Sequence, residues 1–110
     1  MNKAGSYLVI VSCATLDEAH SIADTLLAER LCACVTVLKE AESHYLWKGV
    51  RERSRENLLF IKTSRNALPL LIERVQSLHS YEVPEVIALK IAAGLPSYLE
   101  WIVQETQRHE

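Results

Sequence analysis

The chain is poor in glycine and in proline, with three of each among its 110 residues. A loop that cradles phosphate groups needs closely spaced glycines, and neither a G-x-G-x-x-G nor a G-x-x-x-x-G-K-[ST] string occurs here. Nucleotide binding through such a loop is therefore not expected.

Long apolar runs and an excess of one charge are also absent. No run approaches the roughly 20 residues that span a bilayer, and the apolar run at residues 7–11 is too short for the core of a signal peptide. The net charge is −2, with acids and bases mixed, which argues against a nucleic-acid or membrane-surface partner. We expect a cytoplasmic protein whose three cysteines remain free thiols.

A chain of 110 residues fits one domain, and we expect residues 1–6 to form a flexible head before it. The short β-branched run at residues 7–12 predicts a buried strand. Thr15 and Glu18 form a T-x-x-E capping box, which predicts the start of a helix that ends near Arg30.

The middle of the chain predicts a long hairpin. Residues 33–47 and 50–61 both combine an apolar half with a polar half, and Lys48-Gly49 suits the tight turn between them. The polar halves would extend beyond the sheet as a two-stranded arm. Such a ribbon is marginal alone, so we expect the arm to pack on a neighbouring subunit.

The remaining elements are two helices and a strand. They are a helix at about residues 66–77 capped by Asn66, a strand at residues 86–91, and a last helix that begins near Pro96. The resulting order predicts an α+β fold, a ferredoxin-like βαββαβ sandwich with a long β-hairpin arm and a C-terminal helix.

Three side chains could form a metal site. Cys13 closes the first strand, while His79 and Glu85 flank the last strand. Thiolate, imidazole and carboxylate together suit a divalent or cuprous ion. The spacing contains no CxxC pair or HExxH helix, so a half-buried strand cysteine and a histidine that caps a helix C-terminus explain the same residues.

Other interpretations of the cysteines stay open. Cys32 and Cys34 could chelate Cu(I) or zinc from one side of a strand, or they could be small apolar residues entering the sheet interior. Cys13 could also serve as a nucleophile with His79 and Glu85. No feature marks an oxyanion hole beside the thiol, so we expect a protein without catalytic activity.

Several motifs in register resemble one family, the CutA divalent-cation tolerance proteins, over about residues 7–106. The strings that carry the resemblance are Glu29-Arg30-Leu31-Cys32-Ala33-Cys34-Val35, Tyr45-Leu46-Trp47-Lys48-Gly49, Ile61-Lys62-Thr63, His79-Ser80-Tyr81-Glu82-Val83-Pro84-Glu85 and Tyr98-Leu99-Glu100-Trp101. The resemblance implies a stable homotrimer in which each arm packs across its neighbours. It also implies a role in tolerance of divalent metals, copper in particular, with Cys13 and His79 as ligands.

The chain departs from the family pattern in three places. Leu78 stands where some members carry a second histidine, and Ser80 stands where the usual residue is proline. Lys39-Glu40 replaces a usual Pro-Gly, which should let the strand run straighter.

The sequence therefore predicts a trimeric protein that binds Cu²⁺ or another divalent cation through Cys13, His79 and Glu85. The alternative is a trimeric signalling or scaffold protein of the PII type. It would bind a small molecule or a protein partner in the clefts between subunits, with Tyr45, Trp47 and Tyr81 as aromatic anchors.

Overall fold

The computed structural model of the chain describes residues 5–107. Its elements follow the order β1 (Ser6–Cys13), α1 (Leu16–Ala28), β2 (Cys34–Trp47), β3 (Val50–Ser64), α2 (Leu68–Leu78), β4 (Val86–Lys90) and α3 (Pro96–Glu105). The predicted α+β class and βαββαβ order with a terminal helix are confirmed. Residues 1–4 of the predicted head lie outside the described residues, whereas Ser6 is buried as the first residue of β1.

One antiparallel sheet carries the fold, with strand order β2-β3-β1-β4. Side chains alternate between its two faces, and odd-numbered residues of β1 and of the inner half of β3 lie in the hydrophobic core with residues of α1 and α2. The core members that are completely buried are Val9, Val11, Cys13, Ala19, Leu26, Leu31, Leu59, Ile61, Leu71 and Val75.

The even-numbered residues of β1 and of the inner half of β3 lie on the opposite face, which is apolar around Leu8, Ile10, Leu58 and Phe60. Ile10 pairs with Phe60 on one side and with Ile87 on the other. At the edges of this face Leu38, Ile87 and Leu89 are 44 %, 51 % and 48 % exposed. An apolar sheet face left in water is costly, so this face is expected to contact another surface.

The arm is formed by the outer halves of β2 and β3. Lys48 and Gly49 both have positive φ, 52° and 80°, as a two-residue hairpin turn requires. Leu38 pairs with Leu58 but Ala41 pairs with Glu56, so two residues of β2 oppose one of β3. The expectation of a straighter strand is wrong, because a β-bulge forms here with Glu40 at φ 59°.

Local chemistry marks all three helix starts, and for α2 the mark is Pro69 in the first turn. Thr15 caps α1 by accepting the N–H of Glu18 at 3.1 Å, and Pro96 is the first residue of α3. The predicted cap of α2 is wrong, because Ala67 occupies the N-cap position without a side-chain hydrogen bond. Within residues 5–107, no helix is long and apolar enough to cross a membrane.

Candidate functional site

Three donor side chains converge where β1 meets the helices. Cys13 is the last residue of β1, Glu18 lies in the first turn of α1, and His79 is the C-cap of α2. One potential ligand atom from each lies within 4.8 Å of those of the other two. The structure therefore brings together Cys13 and His79, as predicted, and adds a carboxylate that the prediction did not include.

Hydrogen bonds define the tautomer of the His79 ring, whose side chain is fully buried. Nε2 lies 2.7 Å from the carbonyl oxygen of Ser12, which can only accept. Nδ1 lies 3.0 Å from the backbone N–H of Tyr81, which can only donate. The ring is therefore neutral, with its proton on Nε2 and its lone pair on Nδ1.

Glu18 connects helix α1 to the loop that follows α2. Its Oε2 accepts the N–H of Ser80 at 2.7 Å and lies 3.9 Å from Nδ1 of His79. Burial opposes ionisation, but the hydrogen bonds from Ser80 and from the backbone of Ala14 outweigh it and lower the pKa of Glu18. The other oxygen, Oε1, is buried without a hydrogen-bond partner.

The thiol of Cys13 is held in its neutral form. Burial, together with the negative charges of Glu18 and Glu56, raises its pKa to about 12. A cation bound beside the thiol would reverse this effect, because a metal ligand thiol is deprotonated by the ion itself.

The third predicted ligand, Glu85, lies elsewhere. It is exposed and lines a cleft of about 700 Å³ between the arm and the loop that precedes β4. Three more carboxylates and the rings of His44, Tyr45, Trp47 and Tyr81 line the same cleft; the carboxylates belong to Glu52, Glu56 and Glu82. The structure does not place Glu85 in the group formed by Cys13, Glu18 and His79.

Tyr81 connects this group to the cleft. Its ring packs on the His79 ring with centroids 4.7 Å apart, and its hydroxyl donates to Oε2 of Glu56 at 2.7 Å. Burial and then the Glu56 carboxylate raise the pKa of Tyr81 well above its ordinary value. The phenol is therefore a hydrogen-bond donor at any physiological pH.

The donor group fits a divalent cation in three respects. Thiolate, imidazole and carboxylate are ligands that Zn²⁺ and Cu²⁺ accept. The ring N–H of His79 is donated to a backbone carbonyl, the orientation that metal-binding histidines usually have. Oε1 of Glu18, which accepts no hydrogen bond from the described residues, supplies the carboxylate oxygen that such an ion needs.

The other two cysteines lie apart from this group. Cys32 belongs to the hydrophobic core, and burial, followed by the proximity of Cys34, raises its pKa to about 12. The sulfur of Cys34 lies 4.0 Å from Nζ of Lys62. Burial of Cys32 favours the interpretation of that residue as a small core side chain.

The sequence did not predict Glu18 as a ligand, because the capping box already explained a glutamate at that position. In a T-x-x-E capping box the glutamate is expected to bond back to the cap residue, and here its carboxylate accepts the N–H of Ser80 instead. The available signal was its position. A residue in the first turn of a helix that follows a strand by two residues lies close to the strand end, and therefore to Cys13.

Comparisons with known proteins agree with this architecture. A family model described as CutA1 divalent ion tolerance protein matches residues 7–105. The divalent-cation tolerance protein CutA of Thermus thermophilus is 41 % identical over 99 residues, which cover 90 % of this chain and 96 % of that protein. Protein CutA of Mus musculus is 43 % identical over 88 % of this chain, which spans 55 % of the mouse protein's length.

A solved structure gives the same answer. The crystal structure of CutA from Xylella fastidiosa superimposes with a TM-score of 0.91 at 42 % identity, covering 94 % of this chain and 99 % of that one. Other relatives carry names that place them in different compartments, chloroplastic in Arabidopsis thaliana and periplasmic in Archaeoglobus fulgidus. On the match of the family model and of these relatives, the chain belongs to the CutA divalent ion tolerance family.

Proposed function

We propose that this protein binds a divalent cation through Cys13, Glu18 and His79, as a homotrimer without catalytic activity. The family's description concerns tolerance of divalent ions, and Cu²⁺ is the ion that the sequence resemblance implies. One observation carries the proposal: three donor types suited to such an ion converge within 4.8 Å. Glu18 takes the place that the sequence had assigned to Glu85.

The apolar sheet face supports the trimer. The face opposite the core carries Ile10, Phe60 and Ile87. Along β3 the same face extends to Glu56 and Glu52, which line the cleft. Burial of this surface between subunits would stabilise the assembly by about 25 cal/mol for each Å² of apolar area removed from water. The cleft would then lie at a subunit boundary.

The state of the Cys13 thiol supports a role without catalysis. Nucleophilic cysteines are activated by a lowered pKa, whereas burial and two neighbouring carboxylates raise the pKa of Cys13 to about 12. A protonated thiol of this kind is a poor nucleophile in the absence of a metal.

Equilibrium dialysis against Cu²⁺ under anaerobic conditions tests the proposal, with Zn²⁺ as a second ion that has no redox chemistry. We expect one ion per chain for the wild type. Loss of one outer-shell partner of a metal site costs about 10- to 100-fold in affinity, so the Cys13→Ser/His79→Ala double variant should lose more than that. Glu85→Gln is the matched control and should bind like the wild type. Equal affinity in the double variant would refute the ligand assignment.

The cleft favours a second candidate, a trimeric protein of the PII type that binds a small molecule or a partner. The aromatic residues predicted as anchors, Tyr45, Trp47 and Tyr81, all line it. A metabolite screen by thermal shift tests this function, and no response from any compound would count against it. A cytoplasmic location stays a prediction for either function.

A further inference from the structure

The lone pair that a metal would take from His79 already has a partner. A neutral imidazole offers a single lone pair, and Nδ1 directs it to the backbone N–H of Tyr81 at 3.0 Å. Nε2 cannot replace Nδ1, because its proton is donated to the carbonyl oxygen of Ser12 at 2.7 Å. A cation at this site and the N–H of Tyr81 therefore compete for one atom.

We propose that metal binding at Cys13, Glu18 and His79 releases Tyr81, so that the occupied site and the present conformation of the loop exclude each other. This inference rests on the proposed function, since it describes how that same site is regulated. Four interactions of residues 79–81 hold the loop in its present conformation: Ser80 N–H to Glu18, Tyr81 N–H to His79, the packing of the His79 and Tyr81 rings, and the Tyr81 hydroxyl to Glu56.

The consequence of release reaches the other face of the sheet. Cys13 lies on the face that packs against the helices, whereas Glu56 is an even-numbered residue of β3 on the cleft side. Tyr81 makes a hydrogen bond to each of these two regions. Its backbone N–H donates to His79 beside Cys13, and its hydroxyl donates to Glu56 on the cleft side. Its movement would leave a carboxylate that is only 6 % exposed without its phenol donor. The metal site and the cleft are thereby coupled through one residue.

Amide hydrogen exchange of ¹⁵N-labelled protein, with and without saturating Zn²⁺, tests the inference on the intact wild-type chain. Dialysis in parallel gives the number of ions bound. We expect the exchange rate of the Tyr81 amide to rise at least about 10-fold when Zn²⁺ binds, because its acceptor is lost. The amide of Leu26 lies inside helix α1 and should not change.

A variant measures the same coupling from the other end. Tyr81→Phe keeps the backbone N–H but removes the bond to Glu56, which stabilises only the metal-free loop. It should therefore bind Zn²⁺ about 10- to 100-fold more tightly than the wild type, the factor that a hydrogen bond to a charged group supplies. Tyr98→Phe removes a hydroxyl from α3, a helix that contributes no described residue to the donor group or to the cleft, and should leave the affinity unchanged.

The outcomes separate the two proposals. If no Zn²⁺ binds to the wild type, the metal site itself is wrong and the coupling fails with it. If Zn²⁺ binds while the Tyr81 amide stays protected, or if Tyr81→Phe binds with wild-type affinity, the site stands and the coupling is refuted. The exchange measurement needs no variant, so it remains decisive even if Tyr81→Phe folds poorly.

Discussion

Tyr81→Phe should lower the free energy of unfolding in the absence of metal by about 2 kcal/mol. The substitution removes one oxygen atom, and with it the 2.7 Å hydrogen bond from the phenol to Glu56. Hydrogen bonds to charged groups contribute about 1.5–3 kcal/mol. Glu56 is 6 % exposed, so water cannot easily replace the lost donor and the cost should not fall below this range.

Urea unfolding at neutral pH measures the change. All variants must be compared at one chain concentration, because the stability of an oligomer depends on it. The slope of free energy against urea should be unchanged, since the surface exposed on unfolding is nearly the same. Glu56→Gln removes the charge but keeps an acceptor oxygen, so a double-mutant cycle with it measures the part of the bond that depends on the carboxylate charge, about 1–2 kcal/mol.

Tyr98→Phe provides the control for loss of a hydroxyl group. Tyr98 is 40 % exposed and packs on Trp101, a contact that phenylalanine keeps, so its effect should stay within about 0.5 kcal/mol. If Tyr81→Phe were no more destabilising than Tyr98→Phe, the bond to Glu56 would not hold the loop and the reasoning would be refuted.

Three further predictions concern pH, assembly and the bulge. The pKa of the Cys13 thiol is raised from 9.0 to about 12 in the folded chain, so its contribution to stability is complete below pH 9 and is lost as the pH rises toward 12. Between pH 9 and 12 the free energy of unfolding of the wild type should therefore fall as the pH rises. Cys13→Ala should make this fall shallower by up to about 1.4 kcal/mol per pH unit, and the same dependence on pH in both proteins would contradict this. Ile87→Lys on the apolar sheet face should convert the proposed trimer to monomers in sedimentation at micromolar concentration. Leu27→Lys on α1, 43 % exposed in the wild type, should leave the oligomeric state unchanged. Glu40→Gly should raise the free energy of unfolding in urea by about 0.5–1 kcal/mol. A non-glycine residue at φ 59° costs about 1–2 kcal/mol in the folded chain, and the greater freedom of glycine in the unfolded chain offsets only part of that gain. Lys39→Gly, which relieves no positive φ, should lower the free energy of unfolding.

The parts of the fold that the sequence predicted depend on local chemistry. The continuous β-branched run of β1, the Thr15 cap and the Lys48-Gly49 turn each follow from a few neighbouring residues. Cys13 and His79 were brought together by topology, because the predicted order places the end of the first strand near the entry to the last. Their pairing was therefore accessible before any coordinates.

The missing parts depend on contacts between distant segments. Tyr81 and Glu56 are 25 residues apart, and their bond requires the register of β3 beyond the bulge. The bulge itself was hidden because Glu40 adopts a positive φ that residue type alone does not suggest. Glu18 had a sufficient local role as a capping residue, so its position in the first turn of a helix that follows β1 by two residues was the only sign of its closeness to Cys13, and nothing in the sequence indicated its contact with Ser80.

The central claim is that Cys13, Glu18 and His79 hold a divalent cation. A crystal structure of the protein soaked with Zn²⁺, with anomalous differences recorded at the zinc edge, tests it most directly. The account predicts one peak per chain bonded to Sγ of Cys13, a carboxylate oxygen of Glu18 and Nδ1 of His79, with the N–H of Tyr81 withdrawn from the ring. A peak at Glu85 and the other cleft carboxylates instead, with the His79–Tyr81 hydrogen bond intact, would contradict it.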